Sequence, residues 1–90
     1  MGRPVSGKLA RKTDTTAAAL GAVITALRVK KGWGYEYVAH RVGCSASYMN
    51  GMEHGKQNPT LKVLQAVADV HGITLSKLFQ LAEQKYTRSR

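Results

Sequence analysis

Tyr35-Glu36-Tyr37-Val38-Ala39-His40-Arg41-Val42-Gly43-Cys44-Ser45-Ala46-Ser47-Tyr48-Met49-Asn50-Gly51-Met52-Glu53 is the stretch that decides the fold. Val38, Ala39 and Val42 recur at helical spacing, as do Met49 and Met52, so each half of the stretch presents one apolar stripe. Gly43 ends the first half. Ser45 stands where its hydroxyl accepts from a free backbone N–H at the start of the second half. Two short helices joined by the turn Gly43-Cys44-Ser45 read as a helix-turn-helix. The stripes lock the pair together and leave the polar face of the second helix turned outward, where a DNA major groove can receive it.

The same reading extends in both directions. Upstream, Leu20, Val23, Ile24 and Leu27 repeat through an alanine-rich run that closes on Lys30, Lys31 and Gly32, which predicts a first helix over Thr16–Lys31. Trp33 and Gly34 connect it to the pair. Downstream, Gly55 stops the third helix, and Lys56-Gln57-Asn58-Pro59 is a polar loop. Thr60 then caps a fourth helix with Leu61, Leu64, Val67 and Ala68 inward, ending at His71-Gly72. Ile73 bridges to a fifth helix, capped by Thr74, with Leu75, Leu78, Phe79 and Ala82 inward. The expected fold is all-α, a compact five-helix bundle over residues 16–84. Residues 1–15 lack apolar periodicity and read as a flexible basic arm, and residues 85–90 as a basic tail.

Ninety residues, 43% of them apolar, support one core. The formal charge of +9 calls for a polyanionic partner, since such a surface attracts phosphate and releases counterions on contact. Residues 1–16 and 85–90 each carry a net +3, so six of the nine charges lie at the ends. A single cysteine, Cys44, excludes an intramolecular disulfide and fits a reducing compartment. No apolar run reaches the ~20 residues of a membrane span, and the N-terminus lacks a signal-peptide core, so a cytoplasmic protein with no membrane partner is expected. Met1-Gly2 followed by Ser6 matches a myristoylation pattern only loosely. Acids at 14, 36, 53, 69 and 83 are too scattered for a catalytic pair, and His40, Cys44 and His54 lack a standard metal-ligand spacing. Neither an enzyme nor a cofactor or metal is expected.

Many fixed spacings together extend the argument. Leu27-Arg28, Lys31-Gly32-Trp33, Val38-Ala39, Gly43-Cys44-Ser45, Tyr48-Met49, Glu53-His54-Gly55-Lys56, Asn58-Pro59-Thr60-Leu61, Leu64, Ala68 and Gly72-Ile73-Thr74-Leu75-Ser76-Lys77-Leu78-Phe79 resemble the lambda-repressor-like (Xre, or Cro/CI) family, over residues 23–79. Where many members carry Ser or Thr followed by Gln at the start of the second helix, this chain has Gly34 and Tyr35. That weakens the cap and leaves the phosphate contact to the Tyr35 hydroxyl.

The resemblance implies roles. Ala46, Ser47, Asn50 and Gly51 become the groove-facing positions: Asn50 suits adenine, Ser47 donates or accepts, and Ala46 meets a thymine methyl, while no Arg is placed for guanine. Gly51 admits two readings, close approach to DNA or tight packing. Tyr35, Ser45, Tyr48, Lys56, Gln57 and Asn58 become phosphate contacts, and Arg28 and Glu53 a structural ion pair. In the arm, Arg3, Lys8, Arg11 and Lys12 are expected on DNA, with Gly2-Arg3-Pro4 similar to the core of a minor-groove AT-hook. The implied protein is a homodimeric transcriptional regulator of a double-stranded DNA operator, pairing around Val70, Ile73, Thr74 and Leu81. A phage repressor, a restriction–modification controller and a host or plasmid regulator all fit, with no small-molecule effector expected. A DNA-binding antitoxin is the alternative, and RNA binding is disfavoured because stacking platforms are absent.

Overall fold

The computed structural model describes the backbone of residues 6–88 and the side chains of residues 16–86. Within the described residues five helices follow in order: α1 (Ser6–Lys30), α2 (Tyr35–Val42), α3 (Ala46–Glu53), α4 (Leu61–Val70) and α5 (Leu75–Arg88). Local chemistry sets most of the boundaries. The hydroxyls of Ser45, Thr60 and Thr74 accept from the backbone N–H of Tyr48, Val63 and Lys77 at 3.0, 3.2 and 2.9 Å, each capping the helix that follows. Gly34 precedes α2 and offers no side-chain cap.

Two ends differ from the sequence reading. α1 starts at Ser6 rather than Thr16. Missing apolar periodicity says that a segment does not bury a face. It does not say that the backbone is not helical, and Leu9-Ala10-Arg11-Lys12 are good helix formers with no proline between Pro4 and the end of α1. At the other end α5 continues through Lys85 to Arg88, because no glycine or proline follows Ala82 to stop it.

The core joins Leu20, Val23 and Ile24 of α1, Val38 and Ala39 of α2, Met49 and Met52 of α3, Leu64, Val67 and Ala68 of α4, and Leu78 and Ala82 of α5. α1 packs against α3 and α5, α2 against α3 and α4, and α4 against α5. Val42 and Cys44 lie partly buried against this core; burial also pushes the Cys44 thiol pKa up. Two residues expected inward are not. Leu61 is 67% exposed because it sits in the first turn of α4, before the buried stripe begins at Leu64. Phe79 is 41% exposed. It lies about 100° around the helix from Leu78, at the edge of the stripe that faces the core. No described helix is long and apolar enough to cross a membrane.

Candidate nucleic-acid interface

α3 is held by its inner face. Met49 and Met52 are fully buried, and Glu53 beside them is buried as well. A buried carboxylate needs a partner, and Arg28 of α1 supplies it. Its Nε donates to Glu53 Oε2 at 2.6 Å and its Nη2 to Oε1 at 2.9 Å, the two-pronged geometry that suits guanidinium to carboxylate. The remaining Nη1 donates to the Trp33 carbonyl at 2.8 Å. Hydrogen bonding to Glu53 raises the Arg28 pKa against the opposing effect of burial, so the guanidinium stays charged. The same guanidinium lies 5.9 Å from the Tyr35 ring centroid, so one side chain braces α3, the α1–α2 connection and the first residue of α2.

Helices α1 and α3 also meet backbone to backbone. A Cβ on Gly21 would stand 2.5 Å from the carbonyl oxygens of both Met52 and Glu53. One on Gly55, just past α3, would stand 2.9 Å from Ala18 Cα. Gly55 is doubly required, because its φ of +72° also turns the chain back and lets Lys56 N–H donate to the Gly51 carbonyl at 2.8 Å. Apolar periodicity does not mark Gly21. The signal available is its cost, about 1 kcal/mol in a helix interior, at a position one turn from Ala17 and Ala18.

The outer face is built differently. At 100° per residue, Ser47 and Gly51 lie opposite Met49, Met52 and Glu53, Asn50 and Tyr48 lie on the two flanks, and Ala46 lies close to the side of Glu53 in the first turn. Ser47 is exposed, and Ala46, Tyr48, Asn50 and Gly51 are half-buried. Around this face, Ser45 is exposed at the helix start and Lys56, Gln57 and Asn58 are exposed in the following loop, while Tyr35 is half-buried at the start of α2. The loop is drawn back along the helix, so Gln57 lies against Gly51. Val70, Ile73, Thr74 and Leu81 stand elsewhere, at the α4–α5 junction and on α5. Val70, Ile73 and Leu81 pack partly on the core, and Thr74 is exposed as the α5 cap. Arg3, and the side chains of Lys8, Arg11 and Lys12, lie outside the described residues.

A family model described as a helix-turn-helix domain matches residues 19–78. The chain belongs to the lambda-repressor-like helix-turn-helix family. Among curated relatives, the HTH-type transcriptional regulator AnsR of Bacillus subtilis is 36% identical over 64 residues, 71% of this chain and 55% of that protein. The HTH-type transcriptional regulator DdrOP3 of Deinococcus deserti is 33% identical over 57 residues, 63% of this chain and 44% of that protein. The chain thus spans about half the length of these relatives. Among solved structures, the restriction–modification controller protein C.AhdI from Aeromonas hydrophila superposes with a TM-score of 0.67 at 29% identity, over 69% of this chain and 94% of that one. The clp gene regulator ClgR from Corynebacterium glutamicum shares the fold, with a TM-score of 0.78 at 22% identity over 82% of this chain and 79% of that one.

Proposed function

We propose that the chain is a homodimeric transcriptional regulator that binds double-stranded DNA in a sequence-specific manner, with α3 in the major groove. One observation carries the reading: α3 is anchored by its inner face, through Met49, Met52, Glu53 and the Gly21 contact, and keeps small and polar residues on the other. Ala46, Ser47, Asn50 and Gly51 face base edges, and Asn50 is the side chain suited to pair with adenine in two places. Tyr35, Ser45, Tyr48, Lys56 and Asn58 grip phosphates, joined by Arg3, Lys8, Arg11 and Lys12 from the N-terminal segment. Two copies pair through Val70, Ile73, Thr74 and Leu81 to read half-sites one helical turn apart.

The test selects bound duplexes from a random pool and titrates single-base variants of the selected site. Asn50→Ala weakens the selected site by about 1–3 kcal/mol and relaxes preference at one base pair. Lys56→Ala weakens all sequences alike and lowers the salt slope by about one. Failure to select any sequence, or two variants with the same profile, overturns the reading. Sedimentation on the selected duplex tests the dimer, and one chain per duplex at tens of micromolar rules it out.

A further inference from the structure

Gly51 lies on the outer face of α3, one turn beyond Ser47, yet it brings no side chain to it. Another residue fills the space. A Cβ at position 51 would stand 2.9 Å from Gln57 Cγ, 3.3 Å from its Nε2 and 3.6 Å from its Cδ. The Gln57 stem and carboxamide therefore lie over the place where a side chain from position 51 would project. The backbone explains how. Gly55 reverses the chain, and the hydrogen bond from Lys56 N–H to the Gly51 carbonyl, 2.8 Å long, holds the next residue beside α3 instead of past its end.

We infer that Gln57 is a base-reading residue seated on Gly51, and that Gly51 acts by leaving room for it. This rests on the proposed docking of α3 in the major groove, and it reassigns Gln57 from a phosphate contact to base readout. The chemistry fits the place. A carboxamide carries no charge and neutralises no phosphate, but it presents a donor and an acceptor side by side, the pattern that matches N7 and N6 of adenine. Gln57 thus restores a polar side chain to a recognition face that Ala46, Ser47 and Gly51 leave small.

The test uses the full chain and the operator selected from random duplexes, titrated against every single-base variant. The wild-type protein discriminates by about tenfold at a base pair next to the one set by Asn50. Gln57→Ala flattens preference at that pair and leaves the Asn50 pair sharp. Gly51→Ala flattens the same pair, because the added methyl displaces Gln57, and the double variant is no flatter than either single one. Gln57→Glu keeps the stem and replaces the donor with an acceptor, so the preferred base moves from adenine toward cytosine. A merely packed or phosphate-bound glutamine does not produce that move. The inference is overturned if Gln57→Ala lowers affinity for every duplex by one factor with an unchanged profile, or if Gly51→Ala flattens the pair while Gln57→Ala leaves it sharp. In both cases the effect of Asn50→Ala still stands, whereas failure of groove docking itself removes the Asn50 effect too.

Discussion

The inner and outer faces of α3 differ in residue size, burial and tolerance. Inside, Met49 and Met52 fill the core, Glu53 closes a two-pronged ion pair, and the carbonyls of Met52 and Glu53 touch α1 at Gly21 with no room for a methyl group. Outside, Ser47 is exposed, and the flexible Gln57 side chain lies over Gly51. One eight-residue helix thus divides its work by face. On the proposed reading, the buried atoms of the inner face decide folding, and the outer atoms, which contribute little to folding, decide recognition. Substitutions on the two faces therefore have separable consequences.

The largest effect belongs to the ion pair. Glu53→Ala leaves Arg28 partly buried and unpaired, and Arg28→Ala leaves the Glu53 carboxylate buried with no cation, so each costs about 3–5 kcal/mol in denaturant unfolding. The double variant costs much less than the sum. Additive losses break the claim that the two act as one unit.

Next comes the α1–α3 contact. Gly21→Ala gains helix propensity, which in an exposed helix stabilises by about 1 kcal/mol. Here the added Cβ meets backbone carbonyls at 2.5 Å, which cannot swing aside, so α1 and α3 must separate and stability falls by about 1–3 kcal/mol. A rise in melting temperature refutes the close approach.

The inner support reaches beyond α3 to His71, which caps α4 and is 5% exposed. Its ring lies 5.5 Å from that of Trp33, and neither of its nitrogens has a hydrogen-bond partner. Burial pushes the His71 pKa down, the charge of Lys31 pushes it further down, and Glu53 opposes both. The sign follows. With the folded pKa below the unfolded one, the unfolded chain binds the proton more readily, so this contribution is full above about pH 6.5 and is lost as pH falls through the folded value. Urea unfolding at a series of pH values shows the decline, and His71→Phe, which keeps an aromatic ring against Trp33, flattens it. The same slope in the variant removes His71 as its source.

The smallest effect sharpens the comparison from the other side. Ser47→Ala and Asn50→Ala leave unfolding free energy within about 0.5 kcal/mol of wild type, since neither group supports the core. A loss of more than 1 kcal/mol for Asn50→Ala assigns that side chain to folding and blurs the division between the faces.

Local features proved legible in the chain itself. Ser45, Thr60 and Thr74 cap the helices that follow, and α2 and α3 have the bounds that Gly43 and the apolar spacing indicate. These depend on neighbours three or four residues apart, whose geometry is set by the helix alone. The pairing of Arg28 with Glu53 came from family resemblance, not from spacing. Where no glycine marks the boundary, the pattern misled: α1 begins at Ser6 and α5 runs to Arg88, because an apolar stripe marks where a helix buries a face and not where its backbone starts or stops.

The sequence by itself determined that five helices form, which stripe of each is apolar, and that α3 has a polar side to offer, because periodicity and capping are written over a few residues. Only the tertiary structure decided that Gly21 lies under the carbonyls of Met52 and Glu53, that Phe79 reaches solvent, and that Gln57 covers Gly51. The physical reason is that these depend on the approach of one backbone segment to another. That approach is fixed by the close packing of all the side chains together, and no spacing along the chain encodes it.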